Sequence, residues 1–170
     1  MINWLMKKLL LILLCLPLIG FGQKSEFVEM AGMLDAHNQL RSELGLDKLI
    51  WSSKLADNAL RWARILKKEC SSSLKHSPKK YNKGYGENLA LYYNSTAIAS
   101  DVVSFWAEEK ECFDFQTKKC VNNNFACGHY TQIIWRKTTE VGCAVVICEG
   151  KQIWVCQYNP AGNVVGEETY

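Results

Sequence analysis

Histidine is scarce in this chain: His37, His76 and His129 are the only three in 170 residues, so any imidazole chemistry must come from them. Strong charge of one sign is missing too, with a formal net charge of +3 at pH 7. That balance argues against nucleic acid as a partner, because phosphate binding draws its affinity from clustered Lys and Arg that release counterions. The pairs Lys67-Lys68, Lys79-Lys80 and Lys118-Lys119 read as solvated loops instead. No Gly-x-Ser-x-Gly segment is present, which removes the usual setting of a strand-to-helix serine nucleophile. No two cysteines form a Cys-x-x-Cys pair, which argues against a four-cysteine structural zinc site. There is no internal repeat and no low-complexity tract. The apolar run of residues 9–16 is shorter than the roughly 20 residues needed to span a bilayer.

That run reads as the core of a secretory signal peptide. Lys7 and Lys8 precede it, and Pro17 and the small-x-small triplet Gly20-Phe21-Gly22 follow, so cleavage is expected near Gly22. Residues 1–22 are set aside, and residues 23–170 are expected to form one domain with its own core. Losing Lys7 and Lys8 with no acid lowers the formal charge from +3 to +1. The expected address is secreted and extracellular, or periplasmic in a bacterial exporter, with no integral membrane segment left after cleavage. Of the eight cysteines, Cys15 leaves with the leader and seven stay. In an oxidising compartment these are a disulfide framework first and a metal site second. Seven is odd, so one is left over, and the spacing alone does not fix the pairing.

Apolar residues at three- and four-residue steps predict two helices early in the chain. The first covers residues 26–44 through Phe27, Met30, Leu34, His37, Leu40 and Leu44, with Gly45 as its stop. The second is capped by Ser52 or Ser53, carries Leu55, Ala59, Trp62 or Ala63 and Leu66, and favours an end at Lys67 and Lys68. Residues 70–86 have loop chemistry. A third helix is expected after Asn94-Ser95-Thr96, with Ile98, Val102, Phe105 or Trp106 and Glu109 along one side; Asn94 is also a glycosylation acceptor. Past residue 120 the pattern changes. Residues 130–135, 141–147 and 152–158 are rich in β-branched and aromatic residues and predict strands, with Glu149-Gly150 as a hairpin turn. Helices first and strands later predict an α+β domain whose helices cover a small, mainly antiparallel sheet.

Among polar residues, His76 and His129 sit beside turn residues, where sites tend to be built. Glu87 follows Tyr85-Gly86, another tight backbone position. Glu109 lies three residues after Trp106, which turns it toward the core, where a carboxylate needs a partner.

The segment Gly128-His129-Tyr130-Thr131-Gln132-Ile133-Ile134-Trp135 resembles the first signature of the CAP superfamily, the group of cysteine-rich secretory proteins, antigen 5 and plant pathogenesis-related proteins. Cys156-Gln157-Tyr158-Asn159-Pro160-Ala161-Gly162-Asn163 resembles the second. His37-Asn38 with Arg41, Leu49-Ile50-Trp51, His76-Ser77, Gly86-Glu87-Asn88-Leu89-Ala90, Trp106 with Glu109, and Val141-Gly142-Cys143 extend the likeness in order along nearly the whole mature chain.

The resemblance implies a disulfide-stapled, three-layer α-β-α sandwich whose central cleft gathers two histidines and two glutamates, here His76, Glu87, Glu109 and His129. Glu109 is preferred over the adjacent Glu108 because the family's acid stands at the third position after the helix tryptophan. Two imidazoles and two carboxylates in one crevice suit Zn²⁺ or another divalent cation, while paired carboxylates repel each other when no cation or shared proton intervenes. Protonated imidazole does not ligate metal, so binding by such a set weakens below roughly pH 6. The same four residues also serve a purely structural role if each histidine simply pairs with a glutamate. By similarity, the expected disulfides are Cys70 with Cys148, Cys120 with Cys127, and Cys143 with Cys156. Cys112 has no evident partner and is either inert or a link that turns a monomer into a dimer.

As to function, the resemblance implies a non-catalytic secreted binding module whose partner is a small hydrophobic ligand such as a lipid or sterol, or an extracellular protein. Tyr81, Tyr85, Tyr92 and Tyr93 are candidates to line an apolar groove. The alternative is a metal-dependent hydrolase or protease with Glu87 or Glu109 as general base, although four protein ligands leave no open position on the ion. A toxin-like reading would call for a further cysteine-rich segment beyond Tyr170.

Overall fold

The computed structural model describes residues 30–93, 96–121 and 127–170. The expected leader, Phe27 and the glycosylation acceptor Asn94 lie outside them. Helix α1 is Met33–Glu43. Gly32 immediately before it has φ +83°, a left-handed conformation, so among the described residues this helix starts at Met33; residues 26–29 of the expected helix lie outside them. After β1 (Ile50–Trp51) comes α2 (Ser53–Glu69), with Leu55, Ala59, Trp62, Ala63 and Leu66 buried along one face. The loop that follows holds one helical turn, α3 (Lys79–Asn82), and leads into β2 (Gly86–Tyr93). Helix α4 (Ala99–Ala107) buries Ala99, Val102, Val103 and Trp106 and leaves Phe105 exposed, as is Ile98 just before it. It tightens into a 3₁₀ turn over Glu108–Cys112, which carries Glu109. A small ladder of β3 (Phe113–Asp114) and β4 (Lys119–Cys120) precedes α5 (Gly128–Ile133). The hairpin β5 (Glu140–Cys148) and β6 (Lys151–Asn159) completes the chain's regular structure. Glu149 and Gly150 between them both take positive φ, +48° and +75°, as a two-residue turn matched to strand twist requires.

The main sheet runs β1-β5-β6-β2, parallel between β1 and β5 and antiparallel elsewhere. Because side chains alternate along a strand, each face collects its own set. Leu89, Ala144, Ile153 and Val155 pack under α2, against Ala59, Trp62, Ala63 and Leu66. Ala90, Val145, Trp154 and Tyr158 face the other way, toward Met33, Val102, Val103, Trp106 and Ile133 of α1, α4 and α5. The result is an α-β-α sandwich. Three disulfides staple it. Cys70–Cys148 ties the end of α2 to β5, Cys143–Cys156 crosses the hairpin, and Cys120–Cys127 closes the loop before α5. Cys112 is a free, half-buried thiol.

One sequence expectation fails. Residues 130–135 were predicted as strand on their β-branched and aromatic content, yet residues 128–133 are helical. Tertiary partners override the propensity. The backbone N–H groups of His129 and Tyr130 in the first turn of α5 donate to Glu109 Oε2 at 2.7 and 3.2 Å. The carbonyls beyond its last turn are held by Arg41. This guanidinium is wholly buried and donates from Nε to Asp47 O (2.7 Å), from Nη1 to Ile133 O (2.9 Å) and Trp135 O (2.8 Å), and from Nη2 to Thr138 O (3.1 Å). Burial lowers its pKa to about 10, still far above neutrality. Replacing Arg41 with Met strands four carbonyls and removes a charged donor set, so urea unfolding of Arg41→Met is expected to show a loss of about 4 kcal/mol or more. A loss below about 1 kcal/mol would mean the clamp is dispensable.

Candidate functional site

Two imidazole–carboxylate pairs lie close to β2, the free edge of the sheet opposite β1. In the first pair, Glu87 is the second residue of β2 and has a side chain only 3% exposed. Its Oε1 accepts from the Ser77 backbone N–H at 2.9 Å and from His76 Nδ1 at 3.0 Å. Its Oε2 accepts from the Ser77 hydroxyl at 2.5 Å and from Gln157 Nε2 at 3.1 Å. Burial alone would raise the carboxyl pKa, but the donors from His76, Ser77 and Gln157 outweigh it and hold Glu87 below its ordinary range, as a carboxylate. Gln157, directly across the ladder, is oriented in turn by Asn58 of α2, whose Nδ2 donates to Gln157 Oε1 at 2.6 Å.

The second pair joins the 3₁₀ turn to α5. His129 Nδ1 donates to Glu109 Oε1 at 2.6 Å, while Glu109 Oε2 takes the first-turn N–H groups. The imidazole stacks on Trp106 with centroids 5.9 Å apart and planes at 20°. A carboxylate can only accept, so in both pairs Nδ1 carries a proton, and it is the neutral form of each ring that leaves the Nε2 lone pair free. Metal-binding histidines are commonly oriented this way.

The pairs belong to different layers. Glu87 points to the α2 side with Leu89 and Gln157, whereas His129 and Trp106 lie on the side of α1, α4 and α5. Asn88 connects them: it follows Glu87 in β2 and points to the opposite face, where its Nδ2 donates to His129 O and to the Tyr158 hydroxyl, both at 3.1 Å. His37, the third histidine, stands behind this link. Its Nδ1 donates to Met33 O at 2.7 Å, and its Nε2 accepts from the Tyr158 hydroxyl at 2.9 Å. Burial lowers the His37 pKa to about 4, so it stays neutral and structural. Gly86 completes the arrangement: a Cβ there would collide with the Gln132 carboxamide, whose Oε1 accepts from Gly162 N–H at 2.9 Å.

Among the described residues, no three His, Cys, Asp or Glu side chains cluster in a form that could hold a metal ion. The donor chemistry that remains is two imidazole Nε2 atoms, each braced by a carboxylate. His76 exposes 64% of its side chain and His129 31%, so both rings are open to solvent. Ser77, Asn58, Asn88 and Gln157 are participants to which the sequence assigned no role in the site. The four tyrosines have separate contacts: Tyr81 lies tilted against Trp62, Tyr92 meets Phe105, the Tyr93 hydroxyl reaches Ser72 O, and Tyr85 lines a polar cavity with Lys54, Arg61 and Lys83.

A disulfide-stapled α-β-α sandwich carrying two carboxylate-braced histidines beside a free sheet edge defines the class. The chain belongs to the cysteine-rich secretory protein family, whose model matches residues 34–158. It is 36% identical to pathogenesis-related protein 1B of Nicotiana tabacum over 138 residues, covering 81% of this chain and 78% of that protein. It is 35% identical to pathogenesis-related protein 1 of Arabidopsis thaliana over 158 residues, covering 92% and 88%. Among solved structures, it is similar to the crystal structure of NaASP2 with Zn²⁺, at a TM-score of 0.72 and 25% identity, covering 89% of this chain and 90% of that one.

Acid should loosen the link behind the site. The folded protein holds His37 near pH 4 while the unfolded chain titrates near 6.5, so between those values the unfolded state binds the extra proton. Stability is therefore complete above pH 6.5 and declines as the pH drops toward 4, by roughly 3 kcal/mol from this group. The lowered pKa of Glu87 extends the decline to more acid pH. Urea midpoints measured across this range should show the slope in the wild type and a flatter one in His37→Gln; equal slopes would contradict the assignment.

Proposed function

We propose that this chain is a secreted, non-catalytic binding protein that takes up a divalent metal ion, Zn²⁺ before others, on the Nε2 atoms of His76 and His129. Glu87 and Glu109 orient the rings by holding Nδ1–H, and the ion's other positions go to water or to a polar group of a partner, a small ligand or an extracellular protein. The observation that carries this reading is the shared hydrogen-bonding pattern of the two pairs, which leaves the same nitrogen free on both rings. The zinc in the NaASP2 structure supports the choice of ion.

Secretion is supported by three disulfides, which form and persist in oxidising compartments. The relatives from tobacco and Arabidopsis are named pathogenesis-related, and from that name we carry over a setting in defence against another organism. A binding role is favoured over hydrolysis by the state of the acids. Glu87 accepts four hydrogen bonds and is held below its ordinary pKa, which makes it a weak general base, and Glu109 has both oxygens engaged.

Calorimetric titration of the metal-free protein with Zn²⁺ near pH 7.5 is expected to show one saturable site. His76→Ala or His129→Ala should abolish it, and Glu87→Gln or Glu109→Gln should weaken it by about 10–100-fold. Unchanged affinity in His129→Ala would defeat the proposal.

A further inference from the structure

The edge of the sheet opposite β2 is unfinished. β1 covers only Glu140 and Val141 of β5, through Ile50 and Trp51. Val141 O accepts from Ser52 N–H at 2.9 Å, so the backbone groups of Val141 point toward β1. Two residues on, Cys143 repeats that orientation with no strand to meet it. Its partner Cys156 lies at a Cα–Cα distance of 4.0 Å, the close spacing of a non-hydrogen-bonded antiparallel pair, which independently turns the N–H and C=O of Cys143 away from β6. Val145 follows the same alternation. Among the described residues, nothing pairs with these outward groups, and unpaired backbone groups in a residue only 2% exposed, as Cys143 is, are unfavourable.

A cavity of about 380 Å³ opens at this point, with Cys143, Ala144 and Val145 as its floor. Met30, in the turn before α1, and Leu34 of α1 form one wall, and α2 forms the other with Ala56 and Leu60. Asp35 and Asp57 stand on the two walls, both exposed, and no Lys or Arg lines the cavity. Neither carboxylate has a hydrogen-bond or ion-pair partner among the described residues.

We propose that this groove takes an extended peptide segment of a partner protein, which adds itself as a strand beside β5 and carries a Lys or Arg among apolar residues. Main-chain bonds to Cys143 and Val145 supply the registration, alternate side chains meet the α1 and α2 walls, and the two aspartates select the cation. At about 3.3 Å per residue, the stretch from Cys143 to Val145 accommodates roughly three or four residues of such a strand. A lipid chain fits the apolar walls but leaves the backbone groups unpaired, which is why a peptide is the better match. The inference does not depend on metal binding at the histidines.

The test uses the intact, disulfide-bonded protein and a synthetic peptide of about nine residues that alternates Val and Thr around a central Lys-Val-Lys, with a Glu-Val-Glu counterpart. Titration followed by amide NMR is expected to saturate for the lysine peptide and to shift the Cys143 and Val145 amides downfield. The glutamate peptide, and the lysine peptide with the Asp35→Lys/Asp57→Lys protein, should bind at least about tenfold more weakly. The peptide swap needs no protein variant, so the result stands even if the double variant folds poorly. No saturation by about 1 mM, equal affinity for both peptides, or saturation without movement of those amides would overturn the proposal. So would a concentration-dependent dimer that protects them, which would make a second copy the occupant, or amides already bonded in the free protein to residues 23–29.

Discussion

A buried carboxylate at the open end of a sheet is the constraint around which this domain is arranged. Glu87 is nearly inaccessible, and an ionised carboxylate in such a place is tolerable only when its lone pairs are filled. Four donors fill them, drawn from the loop before β2 and from β6, and the β6 donor is fixed by Asn58 from the helix above. The loop carrying His76 and Ser77 is thereby fastened to the strand, although His76 itself stays largely in solvent. Glu109 solves the same problem differently, using two N–H groups at the start of a short helix that its own negative charge helps to stabilise.

The two carboxylates would be unrelated without the polar chain between them. His37, Tyr158 and Asn88 form a hydrogen-bonded line through the core that ends on the His129 carbonyl, one residue along the strand from Glu87. Arg41 works from the same helix as His37 and fixes the chain after α5. Helix α1 therefore reaches the carbonyl of His129, through Tyr158 and Asn88, and the exit of its helix, through Arg41. Buried polar networks of this kind are rigid when every member is satisfied, and here the members satisfy one another.

What could be read from the residues alone was the local part. The spacing of Leu55, Ala59, Trp62 and Leu66 gave α2, and Glu149-Gly150 marked the hairpin, because each depends on neighbours in sequence. Strand β2 went unread since Gly86–Tyr93 lacks clean alternation, and only its pairing with β6 makes it a strand. The segment after Cys127 misled for the opposite reason: its strand-like composition is overruled by Glu109, nineteen positions before Gly128 in sequence. The four site residues came from resemblance to a family, and their division into two pairs on opposite faces of β2 was invisible until the register was known. Asn88 illustrates the loss best, since nothing in its sequence surroundings indicates that it bridges two layers.

Both imidazoles turn the same nitrogen, Nδ1, to a carboxylate, and the proposed binding role depends on Nε2 being the unprotonated one. A ring that gives its Nδ1 proton to a carboxylate is a better ligand at Nε2 and a poorer proton donor there, so the pairs suit binding more than proton transfer. The most direct measurement is long-range ¹H–¹⁵N correlation of the histidine side chains in the metal-free protein near neutral pH. The expected result is an Nδ1–H tautomer with an unprotonated Nε2 for both His76 and His129. An Nε2–H tautomer on either ring would contradict the arrangement, because it would set a lone pair against a carboxylate oxygen and close the nitrogen that the site offers.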